Sequence, residues 1–476
     1  MELKNFIEGE WQTPALTLAA SVCDASTGEA LFGQYASDAD QIEQAICSAV
    51  STHNRGEWAA QSPQDKAEAL ERIAMQIALS ADAIARADAR CTGVILSFTT
   101  VVAAICSAAF RAAATLLRQS ATTRSFDGPH GAVEVERLPL GPAAVIAPWN
   151  APSGILCHKL ASALAAGCPV IIKPSEWAPE SAQLIVEAIG EAGLPSGVVQ
   201  LLHGDGRTGA ALVGDKRIAA VSFTGGLQGG RAVAAAAARD IKPAQLELGG
   251  NNPVVVLEDA DIDAAADGVV AGLITLNGQW CRALGRLLVH QSRYDALLTA
   301  VRKRLKDIRI GSALDADSVM GPVVHKAHLK HIHESIERYC SLGAEKICES
   351  LLPELKGNFI APTLLTGLKS SDALEEIFGP VATVHTFATD DEAIAQANET
   401  PFGLAAYVFG EEQHALRLAR HIRAGNIKIN AVSMLNLHPL APRPAWGLSG
   451  LGDEGVRETF EFFRGTRIIG VAGRSV

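Results

Sequence analysis

At 476 residues the chain is too long for one hydrophobic core, so two or three domains are expected. Hydrophobic residues at 48% and charged residues at 20% exclude a disordered chain. A formal charge of -11 disfavours nucleic acid or an anionic membrane as the main partner, because neither rewards an acidic surface.

The first ten residues show neither a basic leader nor an apolar signal core, and no uncharged apolar run is expected to approach the roughly 18 residues of a membrane span. The nine cysteines are scattered, odd in number and without a CxxC pair. That pattern reads as reduced thiols in a cytoplasmic protein and suggests no metal site.

Ser62-Pro63-Gln64-Asp65 has the composition of a helix start, with an N-cap and a proline at the first helical position. Leu70, Ile73, Ile77 and Ile84 then recur at helical spacing, and the pattern predicts a helix that stops near Gly93. Alanine-rich helical text runs on to Arg118. The polar stretch from Gln119 to Gly128 reads as a boundary.

From Leu138 short apolar runs alternate with helical ones. Strands are predicted at Ala143 to Ala147, Val170 to Ile172, Val198 to Leu202 and Ala219 to Phe223, with helices near 155–166, 180–192, 207–213 and 229–238. This alternation implies a parallel sheet covered by helices, which binds ligands at the carboxyl ends of its strands. The unusual residues sit there: Pro148-Trp149-Asn150, Lys173-Pro174-Ser175-Glu176 and Thr224-Gly225-Gly226. A second α/β series is expected from about Val254 to Asn430, and Glu461 to Val471 reads as an extended arm.

Gly204-Asp205-Gly206-Arg207-Thr208-Gly209 spells GxGxxG, but the acidic residue expected about 20 positions later is missing. Gly225 and Gly230, at the opening of the next helix, are the better pyrophosphate cradle, because helix N-terminal amides are unpaired. Lys173 and Glu176 either form a solvated loop or hold an adenosine ribose. A carboxylate there repels a 2′-phosphate, which favours NAD and leaves NADP open. Glu247 before Gly249-Gly250, and Cys281 after Gly278-Gln279-Trp280, have the character of a base and a nucleophile. Their bland readings are a solvated strand end and a small buried hydrophobe.

Taken in order, Pro148-Trp149-Asn150, Lys173-Pro174-Ser175-Glu176, Phe223-Thr224-Gly225, Glu247-Leu248-Gly249-Gly250, Gly278-Gln279-Trp280-Cys281, Glu376-Ile377-Phe378-Gly379-Pro380-Val381, Phe402-Gly403-Leu404-Ala405 and Ser449-Gly450 resemble the aldehyde dehydrogenase superfamily over nearly the full length. The resemblance implies an α/β fold with a Rossmann-type cofactor domain (1–118 and 138–248), a second α/β catalytic domain (249–445) and a small β oligomerisation element with a C-terminal arm (119–137 and 446–476). It implies Cys281 as nucleophile, Asn150 and the Cys281 N–H as oxyanion donors, Glu247 as the base that activates water, and Lys159 in proton relay. A plain surface helix lysine is the alternative for Lys159. Trp149, Lys173, Ser175, Glu176, Thr224, Gly225, Gly226, Gly230, Leu248, Glu376 and Phe378 are the cofactor residues so implied. A homodimer or homotetramer follows by the same resemblance.

Gly226 and Asn251 stand where the family usually has Ser and Lys, and Arg443 stands near the aromatic residue that usually closes the substrate tunnel. Arg282 is a second unusual cation, beside the nucleophile, where it favours thiolate. Two guanidinium groups at one pocket suggest a small anionic aldehyde bearing carboxylate, phosphonate or sulfonate, although either arginine can instead pair with a neighbouring acid. His158, Trp280 and Ile155 are further tunnel candidates, with Ala151, Leu437 and His438 less securely placed. The rival readings are a dehydrogenase for neutral aliphatic or aromatic aldehydes, a CoA-acylating enzyme, and a non-catalytic homologue.

Overall fold

The computed structural model describes residues 2–128, 131–433 and 438–472. Leu437 therefore lies outside the described residues. Two large sheets carry the architecture. The first has eight strands in the order Glu10–Gln12, Asn5–Ile7, Val199–Leu201, Val170–Lys173, Ala143–Ile146, Ala220–Thr224, Ala244–Glu247 and Gly450–Leu451. Its five central strands run parallel, and both flanks are antiparallel. Successive side chains point to opposite faces. Val145 and Ile172 join one core with Leu160 and Leu164, while Ala144, Ile146 and Ile171 join another with Leu212 and Val221. Burial on both faces explains why these strands read as continuous apolar runs.

The second sheet has seven strands in the order Glu345–Ile347, Thr363–Thr366, Val381–Phe387, Leu284–His290, Asn252–Val256, Ala405–Phe409 and Asn426–Ile429. A third, three-stranded sheet joins Thr123–Gly128, Gly131–Pro139 and Arg464–Ala472, the last pairing along its whole length with the second. Within 446–476, Gly450–Leu451 joins the first sheet, opposite Glu247 and Leu246, and the helix Val456–Phe462 precedes the arm.

Two local expectations need correction. The helix that opens at Ser62 ends at Leu79, and a new one runs from Ala81 to Thr92, because the Ser80 N–H is shared among several preceding carbonyls. Gly93, at φ 80°, closes the second helix; a side chain there would strike the Pro322 carbonyl. The helix Leu96–Gln119 is long and apolar enough to cross a membrane. It packs on Pro63–Leu79 and Pro152–Ala166, and Phe110, Ala114 and Leu117 are buried there, so core packing accounts for its composition.

Candidate active site

The carboxyl ends of the first sheet border a cavity of about 630 Å³ that reaches from Lys173 and Glu176 to Glu247 and Cys281. Three of the four predicted strand ends contribute. Trp149 and Asn150 follow Ala143–Ile146, Lys173 ends Val170–Lys173 with Ser175 and Glu176 beyond it, and Thr224 ends Ala220–Thr224 with Gly225 and Gly226 beyond it. Leu248, Glu376, Phe378 and Ile155 complete the predicted lining. Trp177, Gly229, His328 and His331 also line it and were not anticipated. Their signal is weak, since His328 and His331 sit on a helix whose sequence shows only amphipathic spacing.

At one end, Lys173 is buried and donates to the carbonyls of Pro174 (2.8 Å) and Gly204 (2.6 Å). Its ammonium lies 3.7 Å from the Glu176 carboxylate. Burial lowers the Lys173 pKa, and Glu176 partly restores it. The GxGxxG stretch caps the helix Gly206–Gly214 through Asp205, and Gly206 and Gly209 touch only this end of the cavity.

In the middle, Gly226 caps the helix Leu227–Arg239 without a side-chain bond, and the buried Thr224 hydroxyl has no partner. An orphaned hydroxyl beside free helix N–H groups fits a pyrophosphate. Gly230 does not line the cavity. A side chain there would overlap the Leu248 methyls at 2.4 Å, so that glycine serves helix packing, and Gly229 takes its expected place.

Glu376 closes the far wall. Its carboxylate accepts from the Gly250 N–H at 2.7 Å, while burial and the Glu247 charge push its pKa up to about 8. A Cβ on Gly249 would land 1.8 Å from Glu376 Oε2. Gly249→Ala is therefore expected to displace Glu376 and raise KM for the dinucleotide about tenfold or more, measured by initial rates against cofactor concentration. Trp149 packs edge-on against Phe378 (5.4 Å) and His328 (5.3 Å). The His328 Nε2–H donates to the Phe378 carbonyl at 2.8 Å.

The nucleophile sits after three successive left-handed residues, Leu276 (φ 49°), Asn277 (φ 58°) and Gly278 (φ 72°). Such backbone costs free energy for a non-glycine residue and persists only when tied down. Asn277 donates to the carbonyls of Gly93 and Pro322, both at 2.8 Å, and Asn252 donates to the Cys281 carbonyl at 2.9 Å. The Gln279 side chain accepts from the Val324 N–H at 2.9 Å. Asn150 Nδ2 donates to the Gln279 carbonyl at 2.9 Å, which fixes the amide plane and leaves its second N–H for another acceptor.

Cys281 is only half covered, yet protein atoms surround it densely. Burial and the adjoining Glu247 charge raise its thiol pKa well above the usual value. Arg282 favours the thiolate as expected of a nearby cation, but burial and Glu247 outweigh it. Glu247 lines the same cavity as the thiol, and its own pKa is raised by burial and by Glu454. Lys159 is fully buried, which overturns the surface-lysine alternative. It donates to Ser222 Oγ at 2.9 Å and forms an ion pair with Glu454. Burial alone would push the Glu454 pKa up, but Lys159 and then Arg443 hold it down at about 2.

Glu454 had gone unnoticed in the sequence. The antiparallel pairing of Arg443–Pro444 with Asp453–Glu454 brings it in. Arg443 faces Glu454 at 3.8 Å and, like Arg282, does not line the cavity. His158 contacts Thr459 Oγ1 at 3.2 Å, and burial followed by the Arg443 charge lowers its pKa to about 3. Trp280, 4% exposed, packs into the core beneath the nucleophile with Leu276 and Ala283. His158 and Trp280 are thus neighbours of the site, outside the cavity lining.

A family model described as the aldehyde dehydrogenase family matches residues 11–469. Betaine aldehyde dehydrogenase of Brucella anthropi is 36% identical over 465 residues, covering 94% of this chain and 93% of its own. Geranial dehydrogenase of Castellaniella defragrans is 32% identical over 458 residues, covering 94% of each. A crystal structure of Staphylococcus aureus betaine aldehyde dehydrogenase in complex with NAD+ superimposes with a TM-score of 0.95; it is 31% identical and covers 99% of this chain and 95% of its own.

Proposed function

The chain belongs to the aldehyde dehydrogenase family, and from that premise we propose that it oxidises an aldehyde to the carboxylic acid with NAD through Cys281, releasing the product by hydrolysis. The observation that carries this reading is that the Glu247 carboxylate and the Cys281 thiol line the same cavity, beside Asn150, and act on each other's titration.

A thiol whose pKa is raised needs a base, and Glu247 faces the same cavity to take its proton as the aldehyde arrives. The sulfur then bonds to the carbonyl carbon. The free Asn150 N–H and the Cys281 backbone N–H receive the oxyanion, the first already oriented by the Gln279 carbonyl. The bound dinucleotide supplies the hydride acceptor. Glu176 and Lys173 would hold its adenosine ribose, Thr224 and the Gly226 helix start its pyrophosphate, and Glu376 its second ribose. Having passed on the thiol proton, Glu247 next takes one from water, whose oxygen attacks the thioester carbon and expels the Cys281 sulfur as thiolate. The Lys159–Glu454 pair beside Glu247 gives that proton a path away. A CoA-acylating route is disfavoured because it has no use for this carboxylate.

Incubation with NAD and an aldehyde panel, without CoA, is expected to yield NADH and free acid in equal amounts, with none from Cys281→Ala. NADH formation no faster than in that variant would replace this reading with a non-catalytic one.

A homodimer or homotetramer is the assembly we favour. The strand Arg464–Ala472 lies at the free edge of its sheet and exposes Ile468, Ile469 and Val471, which a second copy would cover. The free state of all nine cysteines supports a cytoplasmic setting.

A further inference from the structure

Arg282 is 7% exposed, and among the described residues its guanidinium has no hydrogen bond or ion pair. This is uncommon, since a buried cation without partners is costly. The contrast with Arg286, four positions on, is instructive. Arg286 is fully buried and spends its donors on the carbonyls of Asn251, Gln396 and Ala397. Arg443 is likewise committed to Glu454.

The Arg282 charge acts on Cys281, Glu247, Tyr407 and Lys428. Its backbone is pinned, because the buried Tyr407 hydroxyl donates to the Arg282 carbonyl at 2.8 Å. Lys428, 3% exposed, donates to the Ser433 carbonyl. Burial and then the Arg282 charge lower its pKa to about 8. Arg282 thus adjoins the nucleophile in the chain, and among the described residues no carboxylate is paired with it.

We infer that the substrate is a short oxo acid whose carboxylate is held by Arg282 while its aldehyde carbon meets Cys281. The inference rests on the reaction proposed above and names the substrate class for that same site. A planar carboxylate matches the guanidinium fork and supplies the missing partner. Because Arg282 adjoins Cys281 in the chain, the carboxylate lies only about two to four carbons from the aldehyde. The same cations oppose a quaternary ammonium aldehyde, which calls for aromatic faces. The chain therefore parts in substrate from the betaine aldehyde dehydrogenases it resembles. The two-arginine reading reduces to one, with Arg443 assigned to Glu454.

The test compares kcat/KM for 4-oxobutanoate, butanal and betaine aldehyde. In the unaltered enzyme 4-oxobutanoate is expected to exceed butanal by about 100-fold, with betaine aldehyde the poorest. Arg282→Ala should bring the oxobutanoate-to-butanal ratio to within about tenfold of unity, and Arg282→Lys should give an intermediate ratio. A ratio near unity in the unaltered enzyme, a preference for betaine aldehyde, or a ratio that survives Arg282→Ala overturns the inference. Calorimetric binding of succinate and of succinamide to the NAD-loaded enzyme tests the same point without a variant or turnover; equal affinities also overturn it. Failure of all three aldehydes to yield Cys281-dependent NADH would instead remove the underlying reaction, so the two failures are distinct.

Discussion

Glu247→Gln is expected to leave a single burst of about one NADH per active site and to lower steady turnover about 10³-fold or more. The amide cannot accept a proton from water, so the thioester formed on Cys281 persists. Nor can the amide relieve the thiol of its proton, which slows the burst itself. Removing the carboxylate takes away a charge that raises the Cys281 pKa, so the pH at which the burst rate rises should move down. Stopped-flow absorbance of NADH followed by quenched detection of acylated protein checks both parts. Undiminished steady turnover would remove Glu247 from the mechanism.

Lys159→Met is expected to destabilise the fold by about 3–5 kcal/mol, because it strands the buried Glu454 carboxylate beside Glu247. The Glu454 pKa lies at about 2, below the ordinary 4.5 of a glutamate. That depression contributes about 3 kcal/mol above pH 4.5, a contribution lost as pH falls towards 2. The variant should therefore lose most stability at neutral pH and differ least from the unaltered chain in acid. Lys159→Met combined with Glu454→Gln removes both charges and should recover much of the loss, giving a coupling that denaturant titration can measure. Equal destabilisation of the single and double variants would show that Lys159 acts by packing rather than by charge.

Residues that belong to one strand end or one short motif were legible in the sequence. Asn150, Lys173, Glu176, Thr224 and Glu247 lie at or just beyond the ends of parallel strands, and Cys281 closes the short Gly278-Gln279-Trp280-Cys281 motif; local pattern locates such places. Glu454 and Arg443 were not, because a hairpin far along the chain sets their positions, and no spacing in the sequence announces its register. Gly230 was misread for a related reason. Glycines at helix starts look alike until the opposing side chain, here Leu248, is known. The junction at Ser80 was missed because apolar residues keep helical spacing on both sides of it.

The strand Gly450–Leu451 has a consequence for how the chain reaches its native state. It completes a sheet whose other flank is Asn5–Ile7 and Glu10–Gln12, and it pairs with the strand that ends in Glu247. Nearly the whole polypeptide must therefore be synthesised before that sheet can close. Contacts of such long sequence separation form slowly, since loop closure comes before the contacts that reward it. During that interval the apolar central strands stand without their last neighbour, and the chain has no base beside a relay acid. Activity is thus expected to appear late in refolding, after most of the helical signal, with the growing chain exposed to aggregation until its final strand docks.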